Sequence, residues 1–184
     1  MCVPRLENED KMTSQSDLKP EEKQALERFP LLARNFCAFV DVCAELNCQT
    51  LLQQVSIHLA QLCEIGARLP WVNPASADPD ASPDSFRLNK ERFASIELML
   101  RERLGKLNVY WEVFDPTQKE EPVSGSMSMD IAEIYFDLKG ALQLLESGVA
   151  REDVYFDWRL GFRSHWSRHA VSALKVALLL SDIA

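Results

Sequence analysis

The most unusual group of side chains in this 184-residue sequence lies near its C-terminal end. Three arginines and two of the three histidines fall within eleven residues of a chain whose formal net charge is −8. His165 and His169 are four residues apart, and so are Arg159 and Arg163, so each pair shares one side of a helix. Imidazoles exchange protons near neutral pH and bind metals, whereas guanidinium groups bind carboxylates and phosphates. This segment is therefore the candidate site.

Acidic residues on the preceding helix are the natural partners of these bases. They share one side of that helix and border its apolar stripe: Asp130, Glu133 and Asp137. Consecutive helices of a bundle commonly pack antiparallel, which would bring the acids against the bases. The first interpretation is thus a structural network that fixes the two helices against each other, with His169 neutral in the core.

Two other interpretations remain open for the same residues. In the second, His165 and His169 bind one metal ion, with His58 or one of the acids completing the site, and an open coordination position activates water. The sequence has no acid in the H-E-x-x-H position, so only the histidine spacing supports this interpretation. In the third, Arg159 and Arg163, with His165 as a further donor, hold a carboxylate or phosphate.

The elements that position these residues are predicted to be helices. Leucine and alanine total 42 residues, against 21 for valine, isoleucine and threonine, a balance that favours helix over sheet. Apolar spacings of three and four predict a helix from Pro20 to about Leu46, divided or kinked at Pro30, and further helices over about 50–69, 89–103, 127–146 and 151–181. The last is the longest and is apolar nearly all round from Ala170 to Leu180, so it should be central. The fold class is therefore all-α, a single-domain bundle of five to six helices.

Three segments fall outside the helical pattern. Residues 1–18 are polar and are expected to form a flexible tail, which leaves residues 19–184 as the bundle domain. Residues 70–88 form a loop rich in proline and aspartate. Residues 106–125 interrupt the helical period, and we expect an irregular segment there that packs on the bundle through Tyr110, Trp111 and Phe114.

Composition narrows the function classes. A net charge of −8 disfavours nucleic acid and anionic membranes as partners. Five cysteines without a C-x-x-C pair indicate buried thiols in a reducing compartment, and neither a secretory signal nor an apolar run that could span a membrane is present, so we expect a cytoplasmic protein. The sequence also lacks the glycine-rich phosphate-binding motifs and G-x-S-x-G, and we expect no cofactor.

Three segments together resemble the bacterial family of domain of unknown function 5063. They are V-Y-W-E-V-F-D-P at 109–116, G-S-M-S-M-D-I-A-E-I-Y-F-D-L-K-G-A-L at 125–142 and W-R-L-G-F-R-S-H-W-S-R-H-A-V-S-A-L at 158–174. The resemblance covers about residues 30–180 and implies a small all-helical cytosolic protein without an assigned activity. This chain departs from the family pattern at Ser167, where the pattern has glycine, and at Met129, where it has an acid.

The leading functional hypothesis from the sequence is a non-enzymatic protein-interaction module with an unidentified protein partner. It depends on the acidic surface, the long loop and the lack of a complete catalytic constellation. The alternative is a metal-dependent or anion-binding enzyme built on the last helix around His165, His169, Arg159 and Arg163. The oligomeric state is left open.

Overall fold

The fold is helical, as the composition predicts. The computed structural model describes residues 12–76, 90–113, 115 and 117–181. Its α-helices are α1 (Pro20–Val42), α2 (Cys48–Gly66), α3 (Lys90–Leu104), α4 (Met127–Glu146), α5 (Arg151–Gly161) and α6 (Ser167–Leu180). A π-helical turn, Phe162–Trp166, joins α5 to α6 in one rod, so the described residues contain five rods, or six helices when the turn is taken as a division. Short 3₁₀ turns occupy Gln15–Asp17, Cys43–Glu45 and Gly105–Leu107.

Pro30 does not divide the first helix. α1 runs without a break from Pro20 to Val42, so of the two alternatives left by the sequence the single rod is the one present. A proline inside a helix removes a backbone hydrogen bond and costs about 3 kcal/mol. The adjacent side chains of Phe29, Ala33 and Phe36 are fully buried, and this burial offsets the missing bond.

The segment 106–125, predicted to be irregular, contains a β-hairpin. β1 (Val109–Glu112) pairs antiparallel with β2 (Val123–Ser126), and Tyr110 lies opposite Gly125. Alternate residues of β1 face opposite ways, so Tyr110 is buried whereas Trp111 is 70% exposed. The prediction was wrong because β1 is too short to display its alternation and β2, Val-Ser-Gly-Ser, carries almost no apolar signal.

Asn108 fixes the start of α4 just after the hairpin. Its carbonyl oxygen accepts the Met127 amide at 2.9 Å, and its side-chain Oδ1 accepts the Ser128 amide at 2.8 Å. These bonds satisfy two of the amides that a helix leaves unpaired at its N-terminus. The hairpin and the first turn of α4 are thereby held together, and that turn contains Asp130.

The helices pack around one core. α4 contacts α1, α3, α5 and α6, and α6 packs against both α2 and α4. The inner face of α6 consists of small, fully buried side chains that allow close approach: Ala170, Ala173 and Ala177. Its outer face leaves three large apolar side chains exposed: Val171, Leu178 and Leu179. No helix among the described residues combines the length and the apolar character needed to span a membrane.

A short β-bridge joins the two non-helical ends of the first described range, residues 12–76. Thr13 pairs with Val72, its amide donates to the Trp71 carbonyl at 2.8 Å, and Leu18 is buried in the core. Of the predicted flexible tail over residues 1–18, residues 1–11 lie outside the described part. Residues 77–88 of the predicted loop over residues 70–88 also lie outside the described part.

Candidate functional site

Asp130 and His169 form the most buried polar contact of the predicted cluster. Asp130 lies in the first turn of α4 and is 6% exposed, and its Oδ1 is 2.8 Å from His169 Nδ1. The Tyr110 hydroxyl donates to the other carboxylate oxygen at 2.6 Å. Since a carboxylate accepts and does not donate, Nδ1 of His169 carries the proton of this contact and Nε2 is the nitrogen left for a ligand.

His165 and Asp137 form a second pair two turns further along α4. His165 Nδ1 is 2.7 Å from Asp137 Oδ2, and the two side chains are more exposed, at 46% and 32%, than those of His169 and Asp130, at 29% and 9%. The rings of the two histidines are 5.0 Å apart in an edge-to-face arrangement. His165 belongs to the π-helical turn, a local irregularity that is frequent at functional sites.

The charges around His169 favour its protonated form. The hydrogen bond that His169 donates to Asp130 is the largest influence and raises the pKa of His169 above its ordinary value, and the negative charges of Glu133 and Asp137 act in the same direction. Burial opposes the shift without cancelling it. Burial and the adjacent Asp130 raise the pKa of Tyr110, so its hydroxyl stays a donor at neutral pH.

The other predicted site residues lie apart from this pair of contacts. The Arg159 guanidinium stacks over the Trp71 ring, with 5.4 Å between the guanidinium carbon and the ring centre. Arg163 is exposed and makes no salt bridge with any acid in the described part of the chain. His58 stacks on Phe39, with ring centres 4.8 Å apart, and burial lowers its pKa.

The structure gives little support to a metal centre. Among the described residues, no three histidine, cysteine, aspartate or glutamate side chains come together as ligands would. The second interpretation needs His58 or an acid beside His165 and His169. His58 packs against aromatic rings instead, and Asp130 and Asp137 each hold the Nδ1 side of one histidine.

A cleft of about 750 Å³ opens between the hairpin and α6, and His169 lies in its wall. This volume is typical of small-molecule and cofactor sites. Two further cations line the same space: Arg168, the third arginine of the predicted segment, to which no role was assigned, and Lys175, which lies outside that segment. Glu112 also faces it, with Oε2 accepting the Ser172 hydroxyl at 2.7 Å.

Sequence reasoning missed the hairpin side of this cleft. Tyr110 and Glu112 are site residues only because β1 places alternate side chains toward α6, and that strand was not predicted. Residues 109–112 are Val-Tyr-Trp-Glu, which shows no apolar–polar alternation, so the sequence carries no clear signal for this side of the cleft.

The comparisons identify a family and a related structure. The family model described as Domain of unknown function (DUF5063) matches residues 20–181. The chain is similar to the crystal structure of protein BF1032 from Bacteroides fragilis, a structural genomics target, with a TM-score of 0.70 and 18% sequence identity over 86% of this chain and 95% of that one. At this identity the likeness shows the fold alone. No curated protein matches the chain.

Proposed function

We propose that this chain, which belongs to the family Domain of unknown function (DUF5063), is a non-enzymatic interaction module whose cleft binds an anionic group of its partner. One observation carries the proposal. In a chain of net charge −8, a single cleft collects Arg168, Lys175 and the protonatable His169 in its wall. Guanidinium, ammonium and imidazolium groups together are the usual donors to a carboxylate or phosphate.

Two acids also line the cleft, and the cations Arg168, Lys175 and His169 outnumber them. Asp130 accepts from Tyr110 and His169, and Glu112 accepts from Ser172. We therefore retain anion binding, the third interpretation of the sequence, but assign it to different cations. Arg159 and Arg163 do not line the cleft, and Arg168 and Lys175 take their place.

Histidine side-chain NMR tests the proposal directly, because the sequence contains only three histidines. We expect titration with inorganic phosphate or acetate, at constant ionic strength, to shift the His169 Nε2 signal and to leave His58 unchanged. Affinity should fall as the pH rises through the pKa of His169, since the imidazolium charge is then lost. Arg168→Ala should weaken binding at least tenfold.

Arg163→Ala is the matched control for Arg168→Ala. Both arginines are exposed and lie five residues apart on the last rod, but only Arg168 lines the cleft. Equal weakening by the two substitutions would mean that the anions respond to surface charge alone. Equal shifts of His58 and His169 would reject the site as well.

Proton-transfer catalysis is a second candidate, favoured by the Asp130–His169 contact. A carboxylate that orients the imidazole of a histidine in the wall of a cleft is the arrangement of many general acids and bases. It corresponds to the enzyme alternative proposed from the sequence, but it does not use a metal ion. Hydrolysis of p-nitrophenyl acetate and p-nitrophenyl phosphate, with and without added zinc, would separate the candidates. Equal rates for wild type and His169→Asn would count against an enzyme.

A further inference from the structure

A second cavity adjoins the cleft and differs from it in character. It has a volume of about 250 Å³ and shares Tyr110, Glu112, Ser172 and Lys175 with the cleft wall. Its remaining lining is mainly apolar and includes Trp111, Val176 and Leu179. The two spaces therefore form one groove along α6, polar toward the start of this helix and apolar toward its end.

The apolar part of the groove runs along the open edge of β1. It is lined by all four residues of β1, Val109–Glu112. Because successive side chains of a strand point to opposite faces, a cavity that touches all four residues is not confined to one face and reaches the strand edge. β2 pairs with one edge of β1, and no other described residue is hydrogen-bonded to the β1 backbone. The second edge thus presents unpaired amides and carbonyls to the groove.

We propose that this groove binds the C-terminal end of an extended polypeptide, which adds to the free edge of β1 and places its carboxylate in the cleft beside Arg168 and His169. The inference rests on the proposed function and identifies the anion as a main-chain carboxylate. Leu107 lines the apolar end and Val113 the polar end, so β1 runs toward the cleft. The bound segment would therefore lie parallel to β1.

The groove offers the three features that such a ligand needs. The strand edge binds the peptide backbone, the apolar part takes a side chain against Leu179, and the cations bind the carboxylate. Lys106 and Lys175 border the apolar part, so the charges also favour an anionic segment. A small anion would leave the strand edge unpaired, whereas an extended peptide can pair with that edge and reach the cations at the same time.

Calorimetry with a defined peptide tests the proposal. The probe is an N-acetylated hexapeptide of alternating serine and leucine that ends in a free leucine carboxylate, compared with the same peptide ending in an amide. We expect the free acid to bind and the amide to bind at least tenfold more weakly. Methylating alternate backbone nitrogens of the free acid should abolish binding, because the methylated amides cannot pair with β1.

Leu179→Ser and Leu178→Ser are the matched variants. Both leucines are exposed, at 66% and 57%, so neither substitution should disturb folding, but only Leu179 lines the groove. We expect Leu179→Ser to weaken peptide binding at least tenfold and Leu178→Ser to leave it unchanged. Equal effects of the two substitutions, or equal affinities for acid and amide, would overturn the proposal.

Two further measurements distinguish a failure of the peptide inference from a failure of the proposed anion site. If acetate shifts the His169 signal and the free-acid peptide binds no better than acetate, the peptide inference falls and the anion site stands. If neither ligand acts on His169, both fall. Sedimentation gives the remaining outcome: a dimer that Leu179→Ser dissociates and Leu178→Ser does not would assign the groove to a second copy and overturn the inference.

Discussion

Replacing Asp130 with asparagine tests whether the buried pair with His169 organises the site. The Asp130 carboxylate accepts from His169 Nδ1 on one oxygen and from the Tyr110 hydroxyl on the other. An asparagine side chain has one acceptor oxygen and presents an NH₂ group where the second oxygen was. Asp130→Asn therefore preserves the shape of the side chain, removes its charge and takes the acceptor oxygen away from one of its two partners.

The expected loss follows from burial and from the number of bonds. A hydrogen bond to a charged group contributes about 1.5–3 kcal/mol, and leaving a buried partner unpaired adds to the cost. We expect Asp130→Asn to lower the free energy of unfolding by about 2–4 kcal/mol. Asp137→Asn is the control, because Asp137 and His165 form the same kind of contact with more exposed side chains. It should cost no more than about 1 kcal/mol.

The effect of Asp130→Asn should depend on pH. The folded protein holds the pKa of His169 above its ordinary value, mainly through the bond to Asp130. A raised pKa contributes stability that is fully present below the unfolded value of about 6.5 and is lost as the pH rises through the folded value. The difference between wild type and Asp130→Asn should therefore be largest near pH 5.5 and smaller near pH 9.

Urea unfolding at these two pH values, with histidine NMR titrations, measures all three expectations. The titrations should place the pKa of His169 above 6.5 in wild type and lower in Asp130→Asn. The reasoning is refuted if Asp130→Asn unfolds at the same urea concentration as Asp137→Asn. A stability difference that does not change between the two pH values would refute the electrostatic part alone.

Two more substitutions test the surroundings of the pair. A Cβ added at Gly125 would overlap the Tyr110 ring, so Gly125→Ala should push the ring away and break its bond to Asp130. We expect a loss of about 1–3 kcal/mol in the free energy of unfolding, measured with urea. An unchanged unfolding midpoint would show that the ring can move freely. Arg163→Ala should change the free energy of unfolding by less than about 0.5 kcal/mol, because the side chain is exposed and forms no salt bridge with any described acid. A loss of several kcal/mol in the same measurement would reveal a buried partner.

The histidine–carboxylate contacts follow from the sequence because each pair of residues is closely spaced on one rod. Asp130 and Asp137 are seven residues apart on a continuous helix, and His165 and His169 are four apart across the end of the π-helical turn and the start of α6. Antiparallel packing of the two rods then places Asp130 beside His169 and Asp137 beside His165. The helix positions and the glycines that end α3 and α4 are predictable for the same local reasons, and Gly105 and Gly148 do adopt positive φ angles of 54° and 87°.

The arginines could not be placed in the same way because the last helix is not regular. The positions of Arg159 and Arg163 were extrapolated at a constant 100° per residue through a segment that contains a π-helical turn. Such a turn closes its bonds over one more residue than an α-helix, so it changes the rotation between the residues before and after it. Arg159 precedes the turn and Arg163 lies within it, and neither reaches the acids of α4 by a salt bridge among the described residues.

The structural and the binding interpretations of the cluster are compatible once the hairpin is known. The contact with Asp130 uses only the Nδ1 side of His169, and this contact orients the imidazole and raises its pKa. The hairpin supplies the Tyr110 bond to Asp130 on one side and the wall of the cleft on the other. The network that holds α4 against α6 and the proposed anion site therefore share the same bonds.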